Sequence, residues 1–177
     1  MSSRMMRAAS ALLLALAAGG SGVGGGRGVG GAGGLSAQEL PQAQAAAVRK
    51  GVQATLDAYR EHAAAGRWDE LMRLYADDPR FRWVSNGIVE ARAVEQIRKY
   101  FATLPPSARV ETTYQDPEIT PLAPGVAMVT TLYQTRLVDP KSGGFSFGGA
   151  LTMILVERPD GWKILSGHVS APVRRGS

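Results

Sequence analysis

The chain contains no cysteine. Disulfide staples, thiol nucleophiles, zinc fingers, iron–sulfur ligation and a lipidated cysteine anchor are therefore excluded. Histidine is almost as scarce. His62 and His168 are the only two, too few for a multi-histidine metal site. No apolar run reaches the roughly eighteen residues that a membrane-spanning helix needs. The body of the chain also lacks a charge surplus. The net charge of +5 includes Arg4, Arg7 and Arg27, which lie in a 37-residue leader without acids; residues 38–177 carry 17 basic and 15 acidic side chains, net +2. A near-neutral domain offers no electrostatic footprint for nucleic acid. Glycine is plentiful at 22 residues, but 11 of them fall in the same leader. The rest of the chain has ordinary glycine density, and the length suits one domain with appendages.

The leader reads as an export signal. Arg4 and Arg7 form a short basic start, and Ala8 to Ala18 is an Ala/Leu-rich core of the length of a secretory signal. Two sites fit small-x-small cleavage, Ala15-Leu16-Ala17 and Leu35-Ser36-Ala37. The second leaves a mature chain that starts just before the first predicted helix. The expected organisation is thus a signal peptide with a glycine-rich stretch over 1–37, a folded domain over 38–171 and a basic tail over 172–177. The expected location is periplasmic or extracellular, with no transmembrane anchor.

Pattern and punctuation order the domain. Val48, Val52, Leu56, Tyr59 and Ala63 recur at helical spacing over Gln42 to Ala65, behind Pro41 and before Gly66. A second helix is expected over Arg67 to Ala76, with Trp68, Leu71, Met72 and Tyr75 on one face. Phe81 to Ser85 alternates as a short strand, Asn86-Gly87 is a turn, and Ile88-Val89 is a brief return. A third helix is expected over Arg92 to Leu104, stopped by Pro105-Pro106. Strands follow over 109–115, 119–122, 126–138, 145–157 and 162–170, with a break or bulge at Asp116-Pro117. Helices segregated from strands define an α+β domain. Three helices on one face of a curved antiparallel sheet would enclose a conical cavity.

Two stretches carry a family likeness. Gly66-Arg67-Trp68-Asp69-Glu70-Leu71 leads to Tyr75-Ala76-Asp77-Asp78, and Asp160-Gly161-Trp162-Lys163-Ile164 runs to His168-Val169-Ser170. Together they resemble the nuclear transport factor 2-like superfamily, closest to its small bacterial SnoaL-like and calcium/calmodulin-kinase-association-like domains, over about residues 44–171. The resemblance implies a cystatin-like cone of sheet around a pocket, commonly dimeric. That fold hosts isomerases, cyclases, dehydratases, hydrolases and members that only bind or assemble, so it does not assign a reaction.

The last strand holds the main candidate. Strict alternation puts Trp162, Ile164, Ser166, His168 and Ser170 on one face. If the first two are core, His168 points into the cavity, where an imidazole can accept or donate a proton. Tyr59 resembles in position the oxyanion-donating tyrosine of the steroid isomerase branch. His168 and Tyr59 are accordingly the candidate catalytic residues. The candidate pocket comprises Tyr59, Trp68, Tyr75, Trp83, Ser85, Ser166, His168 and Ser170. The acids of the isomerase pattern are absent: Trp83-Val84-Ser85-Asn86-Gly87 holds none, nor do 126–138 and 145–156. A dyad of Asp77 or Asp78 with His168 is a weaker option, because a helix end before Pro79 generally faces solvent. No metal or cofactor is implied.

Apolar residues occupy both faces of the long strands, with Met128 and Leu132 opposing Val129 and Tyr133, and Leu151 and Met153 opposing Thr152 and Ile154. A solvent-facing sheet should be polar on one side. A homodimer is therefore expected, with Met128, Leu132, Leu151, Met153 or their neighbours at the interface. The combined expectation is an exported domain that binds an apolar or amphipathic small molecule. The alternatives are a SnoaL-like isomerase, cyclase or dehydratase using His168, and a non-catalytic dimerisation module with a filled core.

Overall fold

The computed structural model describes residues 40–139 and 143–171. The expected leader, the tip of the loop after Asp139 and the basic tail lie outside them. Helix α1 spans Gln42–Ala65, with Val48, Val52, Thr55, Leu56 and Ala63 buried. Gly66 closes it in the left-handed region at φ 70°, which glycine adopts without a Cβ penalty. The amide of Arg67 then donates to the His62 carbonyl at 2.9 Å.

Helix α2 is only Trp68–Met72, shorter than its apolar stripe predicts. Tertiary pairing ends it. Ala76 N–H donates to Ile164 O at 2.9 Å and Ile164 N–H donates to Leu74 O at 2.8 Å. The segment around Tyr75 is thus drawn out as a bridge to the last strand.

Strands β1 (Arg82–Ser85) and β2 (Ile88–Ala91) are joined by Asn86 and Gly87, both at positive φ, as a tight hairpin turn requires. Helix α3 runs over Val94–Ala102. The Gln96 side chain accepts hydrogen bonds from the amides of Arg92 at 2.6 Å and Ala93 at 3.2 Å, satisfying donors that the helix start leaves orphaned. Four long strands follow: β3 (Arg109–Ala123), β4 (Val126–Asp139), β5 (Gly143–Arg158) and β6 (Gly161–Ser170). The two expected strands around Asp116-Pro117 are one strand, bulged where Asp116 sits at φ 45°.

The six strands form one curved sheet in the order β2-β1-β6-β5-β4-β3. The fold is α+β, with the helices packed on one face. The sheet is mixed rather than purely antiparallel, because β1 runs parallel to β6. Hairpin connections force the neighbouring long strands to be antiparallel. No such connection links β1 to β6.

Two further irregularities matter for the site. The β5–β6 register shifts between Ile154 and Leu155, so that Leu165 is an extra residue between Ile164 and Ser166. The β1–β2 register shifts between Trp83 and Val84, so that Glu90 is an extra residue between Val89 and Ala91. A bulge of this kind re-aims the side chains beyond it.

Asp78 does not face solvent. Its carboxylate accepts from the Arg80 amide at 2.9 Å and from the guanidinium of Arg80 at 2.9 and 2.8 Å. It also accepts from Arg158 at 2.8 Å. These donors, Arg80's foremost, hold its carboxyl well below the usual carboxylate range. Asp78 thereby clamps the segment before β1 to the β5–β6 turn and is committed to arginine rather than to a dyad with His168.

Candidate functional site

The concave face of the sheet and the helices bound a cavity of about 410 Å³. Each wall contributes aromatic side chains. Helix α1 supplies Tyr59, and the bridge after α2 supplies Tyr75. Strand β1 supplies Trp83, and α3 supplies Tyr100 and Phe101. The long strands supply Tyr114, Tyr133, Phe145 and Phe147. All five tyrosines of the chain line this one cavity.

The rings around Tyr75 form an edge-to-face set. Tyr75 lies 6.3 Å from Tyr59, 5.9 Å from Phe81 and 6.2 Å from Trp83, at interplanar angles of 71°, 79° and 71°. Such geometry suits the ring quadrupoles. The Tyr75 hydroxyl donates to that of Tyr59 at 3.5 Å. On the opposite wall Tyr133 meets Phe147 edge-on at 6.3 Å, and Phe147 stacks on Phe145 at 5.7 Å. The Thr112 and Thr135 hydroxyls, cross-strand partners in the cavity lining, hydrogen-bond to each other at 3.0 Å.

Burial pushes every one of these phenols up. Tyr75 and Tyr114 rise well above the ordinary value, Tyr59 and Tyr133 rise less far, and Tyr100 is pushed up to about 12. Phenols so shifted stay neutral at physiological pH and can donate hydrogen bonds. The cavity is therefore an apolar, aromatic chamber with hydroxyl donors in its walls.

Of the residues expected in the pocket, Tyr59, Tyr75 and Trp83 line it. Trp68 does not. It stacks behind Phe101 at 5.1 Å and supports that wall. Ser85 is buried within β1, outside the cavity lining. Ser166, His168 and Ser170 are corrections. Ser166 is half-buried, and His168 and Ser170 are exposed, on the face of the sheet away from the cavity. The cause is the bulge at Leu165. Trp162 and Ile164 are buried as expected. The extra residue then inverts the alternation, so Gly167 and Val169 point inward and His168 outward.

The expected sheet interface is corrected in the same way. Leu151 and Met153 line the cavity, whereas Met128 is half-buried and Leu132 is 55% exposed on the outer face. With apolar residues on both faces, alternation could not say which side was inner.

Sequence reading missed Glu90, Tyr100, Tyr114, Phe145 and Phe147. Tyr114 is the direct cross-strand partner of Tyr133, but that register comes from the β3–β4 pairing and local alternation gave no signal for it. Glu90 had none either, because its place depends on a bulge. Among the described residues no group of potential ligands could hold a metal ion, and no helix is long and apolar enough to cross a membrane.

This architecture, helices over a curved six-stranded sheet with a lined cavity, is that of nuclear transport factor 2-like proteins. The chain belongs to the SnoaL-like domain family, whose pattern it matches over residues 52–174. Solved structures bear out the fold. A nuclear transport factor 2-like superfamily protein from Salmonella enterica serovar Typhimurium aligns with a TM-score of 0.61 at 17% identity, covering 74% of this chain and 95% of that one. A Caulobacter vibrioides protein with a cystatin-like fold aligns at 0.57 and 20% identity, covering 72% and 92%. A ketosteroid isomerase-like protein from Erwinia carotovora atroseptica aligns at 0.56 and 13% identity, covering 70% and 95%. No curated protein matches the sequence.

Proposed function

We propose that this chain is an exported binding protein for an apolar or amphipathic small molecule held in the aromatic cavity. The observation that carries this reading is the gathering of all five tyrosines around one cavity. A volume of about 410 Å³ falls in the range of small-molecule sites, which are concave and mostly apolar with a few placed polar groups. A filled core would leave no such space, which counts against a purely structural module. Catalysis by His168 lacks support, since the imidazole is on the far side of the sheet.

Ile97 is half-buried on α3 and lines the cavity. Replacing it with tryptophan should obstruct the chamber without opening the core. The expected result is a loss of at least about tenfold in affinity for a hydrophobic fluorescent probe such as a naphthol, with native circular dichroism. Unchanged probe affinity in Ile97→Trp refutes the cavity as the binding site.

Export rests on the basic start, the Ala/Leu core and the small-residue site at Leu35-Ser36-Ala37. N-terminal sequencing of extracytoplasmic protein should find a start near Gln38; full-length protein confined to the cytosol sinks this part. Self-association rests on Leu132, with Met128 and its cross-strand partner Ile154 beside it on the outer face. Light scattering at micromolar concentration should report a dimer, and Leu132→Glu a monomer. A native monomer overturns the dimer.

A further inference from the structure

The cavity wall contains one acid among the described residues, Glu90. Its location follows from the β1–β2 bulge. Ala91 pairs with Trp83 and faces the cavity; plain alternation would turn the preceding residue away. The extra residue at this point puts both Glu90 and Ala91 in the cavity wall. Glu90 is half-buried, and burial raises its carboxyl above the ordinary glutamate value. Among the described residues no cation pairs with it. Lys99 also lines the cavity from the exposed side of α3 but forms no ion pair with Glu90. Removing a carboxylate from water without a partner costs free energy. A ligand that brought positive charge would offset that cost.

The neighbours fit the same ligand. Trp83, opposite Ala91, is half-buried in the cavity wall, and the Tyr75 ring stands edge-on to it at 6.2 Å. Indole and phenol faces attract cations through their quadrupoles, most strongly where water is excluded. An aromatic wall beside the one acid of the cavity lining among the described residues is complementary to an organic cation with an apolar body.

We infer that the ligand of this cavity is an amphipathic organic cation, its ammonium group held between Glu90 and the Trp83–Tyr75 wall and its apolar body among Tyr133, Phe145 and Phe147. This inference rests on the binding reading above and narrows its ligand class. Phe145 and Phe147 stack on each other and supply an apolar surface for that body.

The test uses three matched probes on the full chain: a naphthylethyl trimethylammonium salt, its uncharged tert-butyl isostere and the corresponding carboxylate. Calorimetry should show the cation binding about tenfold or more tighter than the isostere. Glu90→Gln should reduce that preference to about threefold or less, and Glu90→Asp, which keeps the charge, should retain most of it. Circular dichroism on both variants establishes that they are folded, and Glu90→Leu, which also removes the charge, takes the place of Glu90→Gln if the latter does not fold. Equal binding of cation and isostere overturns the inference and leaves the cavity reading standing. Tightest binding of the carboxylate also overturns it and assigns the polar end to Lys99. A cation preference undiminished in Glu90→Gln removes Glu90 from the site. Failure of all three probes to bind overturns both the inference and the reading beneath it.

Discussion

Truncating Phe81 to alanine should lower the unfolding free energy by about 3–5 kcal/mol, the largest loss expected from any single side chain here. Phe81 is among the largest side chains with no solvent exposure. It sits directly before β1, and its ring supports Tyr75 edge-on at 5.9 Å. Tyr75 in turn contacts Tyr59 and Trp83. Removing the ring opens a void with little freedom to collapse, because β1 is pinned on one side by β2 and on the other by β6. Urea unfolding should show a lower midpoint at unchanged slope. A loss of only about 0.5 kcal/mol, as at a surface position, contradicts this account of the core.

The second large effect is expected at Gly167. A Cβ there would come within 2.2 Å of Trp83 Cζ3 and 2.6 Å of Cε3. No real side chain tolerates that approach, so the indole of Trp83 must move. The space available to it is the cavity, which Trp83 already lines. Gly167→Val should therefore cost about 1–3 kcal/mol by overpacking. It should also shift the tryptophan emission and weaken probe binding, since the displaced ring occupies ligand space. Native emission and native probe affinity in a folded Gly167→Val protein run against the Gly167–Trp83 contact.

The elements of this fold were largely legible because each is punctuated locally. Helix α1 starts after Pro41 and ends at Gly66, as its apolar period and breakers predict. The Asn86-Gly87 turn and the Asp116-Pro117 bulge are where their residue types put them. The second helix ends earlier than its apolar stripe predicts. Its apolar stripe continues to Tyr75, but the backbone there pairs with Ile164, a partner 89 positions away. Periodicity carries no information about such pairing.

The aromatic content of the site was half legible. Tyr59, Tyr75 and Trp83 stand out as aromatics on elements that border any cavity under the helices. The strand aromatics could not be assigned, because β4 and β5 are apolar on both faces. Only the side on which the helices pack makes Val129, Tyr133, Leu151 and Met153 inner residues and Leu132 an outer one.

The amino-acid sequence by itself determined the α+β order of elements, the family, the exclusion of thiol and multi-histidine metal chemistry, and a set of aromatic candidates. These follow from composition, from periods of 3.6 and 2, and from local turn chemistry, all of which act over a few residues. The tertiary structure decided which polar groups reach the cavity. A strand's side chains alternate strictly only while its register holds, and one extra residue reverses every side chain beyond it. The bulge at Leu165 turned His168 out of the cavity, and the bulge at Glu90 brought a carboxylate in. Both bulges lie inside hairpins, unmarked by any turn residue or change of period, at points where a distant segment joins the same strands: the Tyr75 bridge meets Ile164 beside Leu165, and β6 pairs with Trp83, the partner of Ala91.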